Sequence, residues 1–335
     1  MEVVIIDRAT FPRDKVCAGW LTPEVFAAIE LNPEEYRSAG LTLQDIRRFR
    51  TGVLGQPLIE TTYPGVVSYA IRRYEFDQFL LRRAGAVVLE HTPLASIRRT
   101  SEGWVANETI AARILIGAGG HFCPVAKLLR PEGVRQEVVV AKEAEVRLQN
   151  SEEAEVSGAP QLFFCHDLDG YAWCVRKGNY VNVGIGRRTK GDFGRHVDQF
   201  ARFLETTGTF GRASQVTWRG HAYLASGAGA VPLVGDGVIL VGDAAGLAYP
   251  ESGEGIRPAV ESGRLAAETI IAAGGRADRA ALEPYETTIR RLHPPTSSAD
   301  GPLRTAKAAL GRALLGSKTF TRRVMLDRWF LRRSA

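Results

Sequence analysis

No stretch of this 335-residue chain strings together the roughly 18 apolar residues that a membrane-spanning helix needs. Its opening, "MEVVIID", lacks the basic start and long apolar segment of a secretory signal, so a cytoplasmic protein is expected. The four cysteines, Cys17, Cys123, Cys165 and Cys174, have no metal-ligand spacing. They read as reduced thiols acting as small buried hydrophobes, and no metal site is expected. No helix-turn-helix pattern or aromatic-and-basic groove accompanies the positive charge, which argues against nucleic acid as a partner. Internal repeats are absent, and so is any G-x-G-x-x-G fingerprint.

What is present is an ordinary globular composition, 45% apolar and 24% charged, with enough length for two domains. The net charge of +6 is concentrated at one end: from Leu303 to Ala335 nine Lys or Arg face one acid, Asp327. Leu310, Leu314, Leu315, Phe320, Val324, Met325, Trp329 and Phe330 are interleaved with them. This tail reads either as an amphipathic element for an anionic membrane surface or as a solvated outer face packed on the protein.

The most informative stretch is "LVGDAAGLAYPESGEGI", residues 240–256. A β-branched run ends in a turn with Gly242, Gly246, Gly253 and Gly255, then a helical pattern runs from Ile256 to Ile271. Such a corner is an ordinary strand-to-helix turn or a place where a ligand approaches the backbone, because a helix N-terminus presents unpaired N–H groups and partial positive charge. The same strand style appears in "VVIID", "AVVLE" and "ARILIGAGG". Between about Gln136 and Leu224 the pattern becomes alternating, as in "VVVAKEAEVRL" and "NYVNVGIG", which suggests an antiparallel sheet with one face covered. Parallel α/β style returns at "GVILVGDAAG", and "HPPTSSADGP", residues 293–302, suits a linker.

Taken together these segments resemble the geranylgeranyl reductase-like branch of the flavin monooxygenase superfamily of FAD-dependent oxidoreductases. "VVIIDR" resembles the strand whose acid binds the FAD ribose, which implies Asp7 and Arg8. "FPRDKVCAGWLTP" is similar to the branch's proline-lysine-cysteine-glycine segment beside the flavin, implying Lys15, Cys17, Ala18 and Gly19. "RYEFD" contributes Arg73, and "GAGG" the turn residues Gly117, Ala118 and Gly120. The 240–256 corner resembles the GD motif, with Asp243 on the ribityl chain after Gly242, and Pro250, Gly253, Glu254, Gly255 and Ile256 near the ring. "GYAWCVRKGNYVNVGIG" resembles a prenyl-lining segment, with Tyr171 and Trp173 on one side of a strand.

The residues by themselves leave alternatives open. Lys15 suits a phosphate, a substrate or plain solvation; Cys17 suits a reactive flavin-side thiol or an inert buried one. Tyr171 and Trp173 suit a cavity wall or core packing. Three departures stand out: Gly119 replaces the expected acid, Val175 and Arg176 replace phenylalanine and proline, and the first strand with its G-x-G-x-x-G is missing. The last reads as a start roughly 35 residues late, the size of one strand-and-helix unit.

The expected fold is therefore α/β (α+β): a discontinuous Rossmann-like FAD-binding domain lacking its first βα unit, an inserted antiparallel substrate domain and a helical tail. The expected boundaries are 1–35, 62–135 and 230–292 for the first, 36–61 and 136–229 for the second, and 293–335 for the tail. The resemblance implies reduction of a carbon-carbon double bond in an isoprenoid or other hydrophobic substrate, with FAD and a donor that is NAD(P)H or ferredoxin. A flavin-dependent hydroxylase on the same fold, and a truncated lipid- or partner-binding product without catalysis, are the competing readings. Peripheral contact with the inner face of a membrane through the basic tail completes the set.

Overall fold

The computed structural model describes residues 2–131, 138–149, 156–188, 191–224, 231–294 and 304–332. The linker expected at 293–302 lies outside these residues from 295 onward. The chain divides into two compact units. Unit 1 is Met1–Arg13, Asp77–Val138 and Tyr223–Ser298, and unit 2 is Asp14–Phe76, Val139–Ala222 and Ala299–Ala335. The first break falls after Arg13 rather than near residue 35, and the tail from Ala299 groups with unit 2 rather than standing apart.

In unit 1 the β-branched runs form short parallel strands. Val4–Ile6 pairs with Val87–Leu89, and Leu115–Gly117 pairs with Val238–Leu240. The two strands read from the sequence on either side of the alternating region thus lie in one sheet, which Val234–Gly235 extends on its antiparallel side. Ile97–Thr100, Gly103–Ala106 and Ile110–Ala112 make a separate meander. Val238, Ile239 and Leu240 are all buried, which explains the continuous rather than alternating apolar run. They pack with Ala266 of helix Ile256–Ala272 and with Leu282, Tyr285 and Ile289 of helix Arg279–Leu292. The Tyr285 hydroxyl donates to the Leu240 carbonyl at 2.6 Å, and burial pushes this phenol's pKa up.

Unit 2 is built on a seven-stranded sheet. In spatial order its strands are Arg219–Leu224, Val138–Arg147, Tyr180–Arg187, Gly170–Lys177, Gln161–Phe164, Arg48–Val53 and Ile59–Thr62. One neighbouring pair, Gln161–Phe164 with Arg48–Val53, is parallel. These two come from distant parts of the chain, so no hairpin imposes reversal. A second sheet joins Trp20–Leu21, Ser68–Ile71 and Leu43–Ile46.

Both faces of the large sheet are covered, where the alternation suggested one. Helix Phe193–Thr206 packs Phe200 and Leu204 against Phe163, Cys174, Val181 and Val183. The opposite face takes the tail: Leu315, Met325, Leu326 and Phe330 pack against Phe49, Leu162, Trp173 and Val175. The tail is helical over Arg304–Leu315 and then a wider π-helical segment over Thr321–Phe330. Ser317 caps the turn between them by accepting from the Phe320 amide.

Candidate active site

The glycine-rich corner of unit 1 is held by backbone geometry. Val238–Leu240 runs into a tight turn at Gly242–Ala244, where the Gly242 amide donates to Ser262 Oγ at 3.0 Å. A side chain at Gly242 would sit 2.9 Å from the Ala259 Cβ, so helix Ile256–Ala272 approaches the turn as closely as it does because nothing is there. The loop closes through Tyr249 N–H to Glu254 O at 2.9 Å and Gly253 N–H to Tyr249 O at 2.7 Å. Gly253 has φ +67°, and an added Cβ would meet the Tyr223 hydroxyl at 2.3 Å. Both the left-handed backbone and the lack of space select glycine.

Asp243, half-buried on this turn, places Oδ1 2.9 Å from where a Gly255 side chain would be. Among the described residues none donates a hydrogen bond to that carboxylate. Gly255 is the N-cap of the 17-residue helix Ile256–Ala272 and supplies no capping side chain. Pro258 has no N–H, and Ala259 donates to Gly255 O, the first backbone bond of the helix. A carboxylate without a described donor, beside a helix start that no side chain caps, fits a polyol with an adjacent electron-rich ring edge, as FAD offers.

The other unit 1 residues singled out by sequence are placed as follows. Asp7 ends strand Val4–Ile6, and its Oδ1 accepts the Ala9 amide at 2.8 Å; Arg8 is exposed. Gly117 is buried opposite Leu240, while Ala118 is exposed and Gly120 adopts φ +74° in open space. Pro250 and Glu254 lie within the 249–255 loop.

Unit 2 gathers a second set. Lys15 Nζ is 3.0 Å from His221 Nε2, a partner that no spacing in the sequence indicated. Cys17 is the partly exposed one of the four free cysteines, and its Sγ accepts the Gly19 amide at 3.3 Å. Gly19 has φ +62°, and a Cβ there would lie 2.2 Å from Ile71 O and 2.6 Å from Lys177 Nζ. Ala18 is half-buried beside it, and Arg73 opens the helix Arg73–Arg83. Tyr171 and Trp173 do face one side, with ring centroids 5.9 Å apart, and both pack in the core under the tail near Phe330.

Sequence reading missed the buried ionic network beneath this turn. Lys177 is fully buried and bonds Glu145 Oε2 at 2.5 Å; Arg72 Nε bonds Glu145 Oε1 at 3.0 Å and its NH1 bonds Glu75 at 2.7 Å. The Arg72 guanidinium also lies 3.6 Å over the Tyr180 ring. Burial alone would raise the Glu145 pKa, but Lys177 and Arg72 together hold it below the usual glutamate range. Glu143, buried on the same strand face, is shifted the other way: burial outweighs Lys177, the Cys17 amide and Asn182. Burial also pushes the Cys174 thiol up to about 12, which makes it an inert core residue. Among the described residues no group of three or more His, Cys, Asp or Glu is arranged to hold a metal ion.

No family model matches the chain. Named relatives do match it. Menaquinone reductase of Mycobacterium tuberculosis (strain CDC 1551 / Oshkosh) is 30% identical over 294 residues, covering 80% of this chain and 70% of the relative. Digeranylgeranylglycerophospholipid reductase of Methanocaldococcus jannaschii is 26% identical over 266 residues, 72% of this chain and 66% of the relative. Among solved structures, a geranylgeranyl bacteriochlorophyll reductase-like protein from Thermoplasma acidophilum superposes with a TM-score of 0.70 at 18% identity, covering 94% of this chain and 81% of that one. With the Asp243 corner, the Cys17 turn and the seven-stranded sheet in place, these likenesses make the chain a member of the geranylgeranyl reductase-like family of FAD-dependent oxidoreductases.

Proposed function

We propose that the protein is a flavin-dependent reductase that saturates a carbon-carbon double bond of an isoprenoid chain carried by a quinone or a lipid. The observation that carries this reading is the Asp243 corner, a donor-less carboxylate against Gly255 at an uncapped helix start. Relatives named for a quinone and for a digeranylgeranyl lipid support the substrate class. When bound, reduced FAD supplies the hydride for the double bond. Asp243 would accept hydrogen bonds from the ribityl hydroxyls, and the positive end of helix Ile256–Ala272 would stabilise negative charge at the ring edge. Asp7 Oδ2, the oxygen that Ala9 does not engage, accepts from a ribose hydroxyl, while Gly117, Ala118 and Gly120 shape a bare backbone turn. Tyr171 and Trp173 take the apolar chain of the substrate. The reduced donor is NAD(P)H or a ferredoxin, distinguished by which of them reduces the bound flavin.

The cofactor assignment is tested by Asp243→Ala. A hydrogen bond to a charged group contributes roughly 1.5–3 kcal/mol, so FAD affinity should fall about tenfold to a hundredfold by fluorescence titration. Unchanged affinity would remove Asp243 from the site.

The substrate class also proposes a way of collecting it. No described helix is long and apolar enough to cross a membrane. The tail leaves Leu310 and Leu314 exposed, with Arg322, Arg323 and Arg328 also outward. Near an anionic bilayer each basic residue contributes about 1 kcal/mol. Arg322→Ala/Arg323→Ala/Arg328→Ala should therefore weaken sedimentation with phosphatidylserine vesicles, and added salt should do the same to the parent protein. A parent protein that ignores such vesicles at low salt would exclude this contact.

A further inference from the structure

A buried acid in unit 2 has no part in the assignments above, yet it joins two elements that do. Glu143, 6% exposed, lies in strand Val138–Arg147 directly across from Gly184, and Gly184 lies directly across from Trp173 on the next strand. The middle residue of this row has no side chain for a reason: a Cβ on Gly184 would stand 2.1 Å from the Trp173 ring. The indole therefore fills the space that a side chain on Gly184 would take. Its Nε1–H donates to Asn182 Oδ1 at 2.7 Å. The amide nitrogen of Asn182 donates in turn to Glu143 Oε2 at 3.2 Å and to the Cys17 carbonyl at 3.4 Å.

We infer that Glu143 is a positioning residue, holding the Cys17–Gly19 turn and the Trp173 ring in one fixed register through Asn182. The residue types suit that task. An asparagine can donate and accept at once, so it orients the indole only while its amide nitrogen has acceptors, and Glu143 and Cys17 O are those acceptors. Buried polar links of this kind keep a unique geometry when every member is satisfied. Charged neighbours are Lys177, on the strand beyond Tyr180–Arg187, and Glu145 two residues along; Lys177 bonds Glu145. Burial keeps Glu143 protonated to higher pH than a free glutamate. Its geometric role rests on the contacts alone. Its catalytic consequence rests on the reading of Trp173 as a substrate-facing ring.

The test separates those two layers. Cys17 is partly exposed and the other three cysteines are buried, so the rate of reaction with a chromogenic disulfide reagent reports the Cys17 turn without any turnover. In the full chain Glu143→Leu should speed that reaction about tenfold, the factor worth roughly one hydrogen bond, and Cys17→Ser in the same background should abolish the gain. Glu143→Gln, which keeps an acceptor in place, should stay within about twofold of the parent protein. With an isoprenoid substrate, Glu143→Leu should raise KM about tenfold with a smaller change in kcat, and the glutamine variant should restore it. If Glu143→Leu does not fold, Asn182→Ala cuts the same link without touching the acid and should give the same thiol result. An unchanged Cys17 rate in the leucine variant (in Asn182→Ala if the former does not fold), or a glutamine variant as fast as leucine, would overturn the proposal. A parent protein that reduces no isoprenoid would overturn the functional reading while leaving the thiol test decisive.

Discussion

Glu145→Ala should cost roughly 3–5 kcal/mol of stability, the range found when one partner of a buried ion pair is removed and the other is left behind. Lys177 is 0% exposed, and Glu145 Oε2 is the oxygen that bonds its ammonium at 2.5 Å. The ammonium cannot swing away to water, because it sits against Gly19, where even a methyl group would lie 2.6 Å from Nζ. Arg72 loses a partner too, although Glu75 retains one of its nitrogens. Glu143 offers Lys177 some residual charge complement, which places the expected loss toward the lower end of that range. Four of the five tryptophans, Trp20, Trp173, Trp218 and Trp329, belong to unit 2, so tryptophan emission during urea unfolding reads the relevant part. Glu145→Leu combined with Lys177→Met should recover most of the loss, since the desolvation cost of both charges disappears together. A single-variant loss under about 1 kcal/mol would mean that the pair is not buried in solution.

The sign of the pH dependence follows from the same pair. The folded-state pKa of Glu145 is lowered, so its contribution is fully present above the ordinary glutamate range and is lost as pH falls through the folded value. The parent protein should therefore lose stability on acidification more steeply than Glu145→Ala. Equal slopes would contradict the assignment.

Phe330→Ala should destabilise unit 2 by roughly 3–5 kcal/mol, the range for emptying a buried phenylalanine site. Its ring is 4% exposed, stacks on Trp20 at 5.4 Å and 16°, and meets Tyr171 edge-on at 5.5 Å. Side-chain hydrogen bonds hold its segment there: Thr321 Oγ1 donates to Leu315 O at 3.2 Å, and the Tyr63 hydroxyl donates to Asp327 Oδ1 at 2.7 Å. Arg323→Ala, an exposed change on the same segment, should stay within about 0.5 kcal/mol. If Phe330→Ala cost no more than Arg323→Ala, the tail would not be docked, and its large apolar residues would be available to a bilayer instead.

Val238–Leu240 was legible because a strand covered on both faces needs an unbroken apolar run, and its parallel partner Leu115–Gly117 has the same apolar style although Ile116 is exposed. The Asp243 corner was legible because only glycine tolerates its backbone and its close contacts. Glu143 and Glu145 were not. In "VVVAKEAEVRL" a period of two places them with Val139 and Ala141, and charged residues in an alternating strand normally mark the solvent side. That side is covered here, over the two acids by the Cys17–Gly19 turn and Arg72, and over Trp173 and Val175 by Leu315, Met325, Leu326 and Phe330 of the tail, whose basic residues mask its apolar face in the sequence. The grouping of residues 14–76 with the large sheet was hidden for another reason. It depends on the parallel pairing of Arg48–Val53 with Gln161–Phe164, across a separation that no local pattern encodes.

The central claim, an FAD-dependent reductase acting on isoprenoid double bonds, is tested most directly by anaerobic turnover. The protein loaded with FAD and chemically reduced is mixed with menaquinone or with a digeranylgeranyl glycerophospholipid, and the products are read by mass spectrometry. The account predicts reoxidation of the flavin coupled to the gain of two hydrogens in the isoprenoid chain of at least one of the two. A flavin that stays reduced with both substrates, or that is reoxidised by oxygen with hydroxylation of the added compound, would contradict it.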